Sequence, residues 1–156
     1  MSRSDTVTVA PGEWAGRISG LVGEGMTWLD FLTAIDRLDT IEVVVRLVDP
    51  ASHLAALVVT VLPAGEPVLG SITGLLPGAD WYERETAEMF GVRFTGRLDT
   101  RPLLTRSGDT RPPLLKSTPL PARLDADWPG ADAEAIGASA RRRARPPGVL
   151  ETWESS

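Results

Sequence analysis

Four charged side chains that lie close together in the sequence are the residues most able to take part in chemistry. They are Glu83, Arg84, Glu85 and Glu88, inside a segment that also contains aromatic residues. Carboxylates at this spacing could exchange protons, hold a cation, or form charge-assisted hydrogen bonds. No pocket-forming loop and no set of metal ligands accompanies them in the sequence, so we do not expect a catalytic site. An ordinary solvated charged face and a charge-assisted binding surface remain as the two interpretations.

A helix over residues 81–90 is predicted to position these side chains. Asp80 suits the N-cap of this helix, and Glu83, three positions later, completes a variant of the capping box. Gly91 suits the position just past the C-terminus. The local rules therefore predict one short helix that carries all four charged residues.

At helical spacing the apolar residues of this segment form one arc that includes Glu85. The members of the arc are Trp81, Tyr82, Met89 and Phe90. A carboxylate in such an arc is costly unless it is bonded, so Glu85 is predicted to need a cation or backbone donors, from this chain or from a partner. The candidate cations of this chain are Arg93, Arg97 and Arg101. Arg84 and Glu88 fall outside the arc, where an i, i+4 pair can form.

The composition excludes several classes of protein. The chain of 156 residues has no Cys, which removes disulfides, thiolate chemistry and Cys-ligated zinc or iron–sulfur clusters. His53 is the only histidine, so a His-rich metal site cannot be built, and we expect a structural or exposed role for this residue. The net charge of −5 argues against nucleic acid as the main partner.

Neither a secretory nor a membrane-spanning segment is expected. The first five residues lack the apolar core of a signal peptide. The longest apolar run, residues 54–62, is too short to cross a bilayer. We therefore predict a cytosolic protein whose link to any membrane is made through partners.

The chain is predicted to comprise three parts. They are a flexible leader over residues 1–10, an α+β domain over residues 11–105, and an extended docking tail over residues 106–156. The fold class is α+β, with a small mixed or antiparallel sheet flanked by helices and followed by the extended Pro-rich tail.

Within the domain, periodicity predicts a helix over residues 13–22 and an antiparallel hairpin of two strands, residues 41–48 and 54–62. The second of these strands is apolar on both faces, which predicts a central strand covered on each side. A further strand is predicted near residues 68–72.

The tail differs from the domain in composition. Eight of the 13 prolines lie from Pro102 onward, and hydrophobic periodicity is lost there. Trp128 and Trp153 could anchor an interface or pack back on the domain. The basic cluster at residues 141–145 leaves open a free-standing protein that uses an Arg-rich tail to bind nucleic acid or lipid, although pairing with nearby acids also accounts for it.

The charged segment resembles the signature of a known family. Glu83-Arg84-Glu85, Glu88 and Met89-Phe90 match it, followed by a spacer over residues 91–96, basic residues at Arg97 and Arg101, and the pair Leu103-Leu104. The family is the C subunit, or thirty-kilodalton subunit, of the proton-pumping NADH:quinone oxidoreductase, respiratory complex I. Residues 41–47 and 57–61 resemble its hairpin, and the resemblance covers about residues 25–105.

The resemblance implies a non-catalytic component that supports assembly of the hydrophilic arm. Such a subunit packs against the D subunit, which is related to the hydrogenase large subunit, near the iron–sulfur subunits. It holds no cofactor itself, since NADH, FMN, the clusters and quinone belong to partner subunits. The expected location is peripheral, on the cytoplasmic side of the bacterial cell membrane.

The matched residues are expected to hold the junction with the partner, so Glu85→Ala should abolish assembly with at most modest loss of domain stability. The predicted interface residues are Asp80, Trp81, Glu83, Arg84, Glu85, Glu88, Phe90, Gly91, Arg97 and Arg101.

Two departures from the family pattern leave open two alternatives, a diverged paralogue and a subunit of a related complex. Residues 96–98 read Gly-Arg-Leu where the family commonly has Gly-His-Pro, and only residues 113–117 represent a downstream Pro-Leu-Arg-Lys-Asp segment. Membrane-bound NiFe hydrogenases and formate hydrogenlyase-type complexes contain a similar subunit, so such a complex is the second alternative.

Overall fold

The strands of this chain form two sheets of different size. The computed structural model describes residues 4–97, 99, 101–105 and 111–119. In chain order the elements are β1 (Ser4–Val9), α1 (Trp14–Gly23), β2 (Trp28–Asp36), β3 (Thr40–Val48), β4 (Ala55–Pro63), β5 (Val68–Gly70), α2 (Ala79–Phe90) and β6 (Arg93–Thr95). The α+β class predicted from the sequence is confirmed.

The larger sheet has four strands in the order β1-β4-β3-β2, and the smaller one pairs β5 with β6. β3 lies antiparallel to both β2 and β4, whereas β1 runs parallel to β4. The sheet is therefore mixed. The predicted hairpin is present, with Thr40 opposite Pro63 and Val48 opposite Ala55.

The core lies on one face of this sheet. Along β3 the side chains of Ile41, Val43, Val45 and Leu47 are buried, and the residues between them are half-buried. α1 covers this face with Trp14, Ile18 and Leu21, the stripe expected from helical spacing.

β4 is central in its pairing but is not covered on both faces as predicted. Its buried residues alternate with half-buried and exposed ones, and Val61 is 40% exposed. A continuous run of apolar residues is typical of a strand buried on both sides. Here the second face of the strand carries apolar side chains that no element of the described chain fully covers.

The predicted leader is wrong for residues 4–9, which form β1 and pair in register with β4 from Ser4–Ala55 to Val9–Thr60. The alternation in residues 6–9 is short, and its pairing partner lies far along the chain, so local sequence gives little signal for this strand.

The predicted tail begins on the domain itself. Leu114 donates its backbone N–H to the carbonyl of Met89 at 3.0 Å. Lys116 donates its backbone N–H to Asp36 Oδ2 at 2.7 Å, and Leu115 packs against the core. Residues 111–119 therefore belong with the domain, beyond the boundary predicted at 105. Trp128, Trp153 and the basic cluster at 141–145 lie outside the described residues.

No helix in the part of the chain that the structure describes has the length and apolar character needed to span a bilayer.

Candidate functional site

Helix α2 begins earlier than its sequence signals predict. The N-cap is Gly78, and it makes no side-chain capping bond. The backbone of the preceding turn takes this part instead, because Ala79 N–H bonds Leu76 O at 2.9 Å and Asp80 N–H bonds Pro77 O at 3.3 Å. Asp80 therefore lies in the first turn, where a negative charge suits the helix dipole, and the predicted capping box is absent.

Asp80 pairs with the arginine that follows β6. Arg97 Nε lies 3.2 Å from Asp80 Oδ1, and only 6% of the Arg97 side chain is exposed. This contact ties the first turn of α2 to the chain segment that leaves β6.

Glu83 is the buried acid of the helix, with no exposed surface. Its two carboxylate oxygens accept hydrogen bonds from Ile72 N–H at 2.7 Å and from the Ser71 hydroxyl at 2.8 Å. Ser71 Oγ lies 2.8 Å from Thr73 Oγ1, which extends the network along the loop. Glu83 thus fixes the loop between β5 and α2 from inside the domain.

Burial raises the pKa of Glu83 above its ordinary range. The hydrogen bonds from Ile72 and Ser71 and the charge of Arg97 act in the opposite direction but do not cancel the effect of burial. A buried carboxylate with a raised pKa can mark a catalytic acid, but both oxygens of Glu83 are engaged with the chain's own loop. Its geometry is that of a structural acid.

Arg84 binds the segment that follows β6. Its Nη2 atom donates to the carbonyls of Arg101 at 3.1 Å and Pro102 at 3.0 Å, and its Nη1 atom lies 3.9 Å from Asp99 Oδ2. The predicted side-chain pair with Glu88 is not among the ion pairs of the described residues. Both side chains are directed to the same segment instead.

Glu88 accepts backbone hydrogen bonds from three consecutive residues. Leu104 N–H donates at 2.8 Å, Thr105 N–H at 3.3 Å, and Leu103 N–H also donates to this carboxylate. Desolvation raises the pKa of Glu88, but the bonds from Leu104, Leu103 and Thr105 and the charge of Arg84 outweigh it, so the pKa lies below its usual range.

Together Arg84 and Glu88 hold a short segment that we name the clamped segment, residues 99 and 101–105. Arg84 donates hydrogen bonds to carbonyls of this segment, and Glu88 accepts hydrogen bonds from its N–H groups. One helix face thus satisfies both kinds of backbone group. Asp99 pairs with Arg101 at 2.7 Å, and the Arg101 side-chain and backbone donors hold the pKa of Asp99 well below its usual range.

Glu85 is exposed, and no cation or backbone donor of the described residues binds its carboxylate. The other expected source, a partner, stays a prediction. Its candidate cations are engaged elsewhere: Arg93 with Glu66, Arg97 with Asp80, and Arg101 with Asp99. The buried face of α2 consists of Ala79, Glu83 and Thr86, so Glu85 points away from the core.

Trp81 and Phe90 occupy different environments. Trp81 is 65% exposed, whereas Phe90 is half-buried and packs against the core. Tyr82 donates its hydroxyl to the carbonyl of Asp30 on β2 at 2.9 Å. The aromatic residues of the predicted arc are thus divided between the core and the surface.

Gly91 ends the helix as predicted. It lies in the left-handed region at φ 74°, and its N–H bonds Ala87 O at 2.9 Å. A Cβ at this position would lie 3.2 Å from Pro112 Cγ, so the residue is needed both for its backbone conformation and for the passage of the tail.

Several residues of this arrangement were missed by sequence reasoning. Ser71, Ile72 and the clamped segment contribute mainly backbone groups, which leave no signal in side-chain type. Asp99 was recognisable only as one more acid. Asp36, which is buried and receives two backbone N–H groups, likewise gives no signal beyond its charge.

In the described part of the chain, the charged side chains of this arrangement bind other segments of the chain. Among the residues that the structure describes, no cluster of three or more histidines and carboxylates is suited to hold a metal ion. The charged side chains of α2 instead position the loop before the helix and the segment after β6, leaving Trp81 and Glu85 on the surface.

Known proteins resemble this chain in sequence and in fold. The C subunit of NADH-quinone oxidoreductase from Rhizobium rhizogenes is 42% identical over 83 residues, which cover 53% of this chain and 41% of that protein. Its counterpart in Mesorhizobium japonicum is 53% identical over 55 residues, 35% of this chain and 27% of that protein. The chain therefore matches less than half the length of these relatives.

Two solved structures have the same fold. The trypsin-resistant fragment (1-134) of Nqo5 has a TM-score of 0.57 at 24% identity, covering 60% of this chain and 80% of that one. One chain of the membrane-bound sulfane sulfur reductase, an archaeal respiratory membrane complex, has a TM-score of 0.59 at 22% identity. The match covers 63% of this chain and 60% of that one.

The family profile described as the 30 kDa subunit of the respiratory-chain NADH dehydrogenase matches residues 7–124, which include the whole charged helix, both strands of the hairpin and the clamped segment. With this match over most of the sequence, the chain belongs to the family of the respiratory-chain NADH dehydrogenase 30 kDa subunit.

Proposed function

We propose that this chain is the C subunit of a proton-pumping NADH:quinone oxidoreductase, where it acts as a non-catalytic component in assembly of the hydrophilic arm. The curated relatives bear the name of the C subunit of NADH-quinone oxidoreductase, and the family profile spans residues 7–124. The relatives are longer than this chain, so the activity and partners of the whole complex form part of the proposal.

The observation that carries the non-catalytic role is the use of the charged helix. Glu83 is hydrogen-bonded to Ser71 and Ile72, and Arg84 and Glu88 are hydrogen-bonded to the clamped segment. These side chains hold the domain together rather than face a substrate. A surface held in place by such internal bonds would bind neighbouring subunits with little loss of conformational entropy, which supports the proposed structural role.

The proposed partner is the D subunit, related to the hydrogenase large subunit, together with the neighbouring iron–sulfur subunits. NADH, FMN, the clusters and quinone would be bound by those partners. The chain has no Cys to ligate a cluster. We place the protein peripherally on the cytoplasmic side of the cell membrane, attached through its partners, and we propose that residues 106–156 include a segment that docks on them.

Deletion of the gene tests this role in the producing bacterium. We expect membranes of the deletion strain to lose NADH:quinone reductase activity in proportion to the loss of assembled complex, and the wild-type gene to restore both. The purified chain should contain no flavin, iron or acid-labile sulfide. Normal assembly and activity without the chain, or a cofactor bound to the purified chain, would contradict the proposal.

The same strain distinguishes the related complexes. Loss of hydrogen- or formate-linked electron transfer with intact NADH:quinone reductase activity would assign the chain to a hydrogenase or formate hydrogenlyase-type complex. A loss of neither activity would favour a free-standing binding protein.

A further inference from the structure

A groove lies between the outer face of α2 and the clamped segment. Its walls are Trp81, Tyr82 and Glu85 from the helix and Leu103 and Leu104 from the segment. Trp81 exposes 65% of its surface and Leu104 exposes 57%. Single exposed apolar side chains are ordinary, but a cluster that lines one groove is typical of a binding surface.

Internal hydrogen bonds hold both walls of the groove in place. The Tyr82 hydroxyl donates to the carbonyl of Asp30 at 2.9 Å, which fixes the helix wall against β2. Leu104 N–H donates to Glu88 at 2.8 Å, which fixes the opposite wall. A groove that is held open in this way binds with a smaller loss of conformational entropy than a mobile surface.

Glu85 is the charged residue in the wall of this groove. Within the described residues its carboxylate makes no hydrogen bond and no ion pair. A purely apolar occupant would remove water from this carboxylate without replacing its hydrogen bonds, which is unfavourable. The occupant must therefore bring hydrogen-bond donors to Glu85, and a basic side chain supplies both donors and a compensating charge.

Within the described residues, the neighbouring arginines do not supply that charge. Arg84 binds the carbonyls of the clamped segment, and Arg97 pairs with Asp80. A basic side chain from outside the domain would meet Glu85 beside the ring of Trp81, where a guanidinium or ammonium group gains cation–π attraction as well as an ion pair.

We propose that this groove receives an apolar segment of a partner subunit that carries one arginine or lysine side chain, which pairs with Glu85 and lies against Trp81. The proposal rests on the proposed function in requiring a partner subunit. It adds to that function the surface of contact and the chemistry of the segment that fills it.

Matched surface substitutions test the groove in the complete complex. Glu85→Arg and Leu104→Ser alter the groove, whereas Glu24→Arg and Leu54→Ser change an exposed glutamate and a leucine that is 51% exposed elsewhere on the domain. We expect the two groove variants to lower recovery of co-purifying subunits by about tenfold or more, as central interface residues do. The two control variants should assemble as the wild type does.

The urea midpoint of each purified variant shows that the substitutions act on binding. All four residues are exposed, so the midpoints should stay close to that of the wild type. Wild-type recovery of subunits by Glu85→Arg, with an unchanged midpoint, would overturn the inference while leaving the proposed function intact. Recovery of the wild-type chain without any partner would instead overturn the proposed function.

A photo-crosslink identifies the occupant. Trp81 is replaced by the photoreactive aromatic residue p-benzoylphenylalanine, and the assembled complex is irradiated. We expect a crosslinked peptide from a co-purifying subunit, with an arginine or lysine among apolar residues. Exchange of that basic residue for glutamate should restore assembly of Glu85→Arg. A crosslink only to this chain, or to a segment without a basic residue, would overturn the inference.

Discussion

Glu83, Glu85 and Glu88 are the same side chain in three environments on one helix. Glu83 is buried and accepts hydrogen bonds from the loop before the helix. Glu88 accepts hydrogen bonds from N–H groups of the clamped segment, and Glu85 faces solvent. Their differences arise from what each glutamate meets in the fold, since spacing along a helix fixes only their relative directions. The environment that helical spacing predicts for Glu85 belongs to Glu83 in the structure.

The buried acid should contribute strongly to stability. Glu83→Ala removes the acceptor of Ile72 N–H and of the Ser71 hydroxyl and leaves a cavity, so we expect a loss of roughly 2–4 kcal/mol in the free energy of unfolding. Glu83→Gln keeps the shape and one acceptor, and should cost less. Urea unfolding measures both, with Glu85→Ala as a control within about 0.5 kcal/mol of the wild type. Equal effects of Glu83→Ala and Glu85→Ala would refute this assignment.

Glu83 and Glu88 should give stability opposite dependences on pH. The pKa of Glu83 is raised from 4.5 in the folded protein, so its contribution is present below 4.5 and lost as the pH rises through the folded pKa. The pKa of Glu88 is lowered from 4.5, so its contribution is present above 4.5 and lost as the pH falls through the folded pKa.

The neutral analogues make this difference measurable. Relative to the wild type, Glu83→Gln should become less destabilising as the pH rises above 4.5, because the wild type then carries an ionised buried carboxylate. Glu88→Gln should become more destabilising as the pH rises toward 4.5 from below and then stay constant, because the wild-type carboxylate binds its three N–H donors in charged form only above its lowered pKa. Urea unfolding from about pH 3 to about pH 8 follows both differences. Parallel curves for the two variants would contradict the assignments.

At the scale of elements, α2 is held at both ends by backbone groups. Its first turn continues the turn over residues 76–80, and its C-terminus is closed by Gly91 and approached by Pro112. Side-chain signals predicted its end correctly and its start too late, because a preceding backbone turn can satisfy the first N–H groups without any capping residue.

Two glycines should respond in opposite directions to the same substitution. Gly91→Ala forces a Cβ into the left-handed region and toward Pro112, so we expect a loss of about 1–2 kcal/mol. Gly20→Ala lies inside α1, where a Cβ meets nothing within 4 Å, and should increase stability by about 0.5–1 kcal/mol. Thermal or urea unfolding gives both values. A neutral Gly91→Ala would show that the helix end tolerates a side chain there.

The sequence predicts the helices and strands of this fold better than the contacts between distant parts of the chain. The hairpin of β3 and β4 and the stripe of α1 follow from periodicity, because each encodes its own buried face. β1 was missed since its partner strand lies far along the chain. The partners of Glu83 and Glu88 were missed because backbone N–H groups are present at every non-proline residue and only the fold selects which ones meet a carboxylate.

At the scale of the whole molecule, the domain extends past the predicted boundary. Residues 111–119 are bound by Met89 and Asp36, and the family profile continues to residue 124. The chain thus returns to the helix and the sheet after the clamped segment. The described parts of this path lie against α2 at Arg84, Glu88 and Met89, whereas Trp81 and Glu85 stay exposed.

Native affinity purification of the tagged chain from gently solubilised membranes tests the central claim most directly. We predict co-purification of the D-type subunit and the cluster-bearing subunits, together with NADH:quinone reductase activity. To control for survival of the complex, a parallel purification uses a tag on one of the cluster-bearing subunits. Recovery of this chain alone, while the parallel purification yields an active complex that lacks it, would contradict the assignment to the complex.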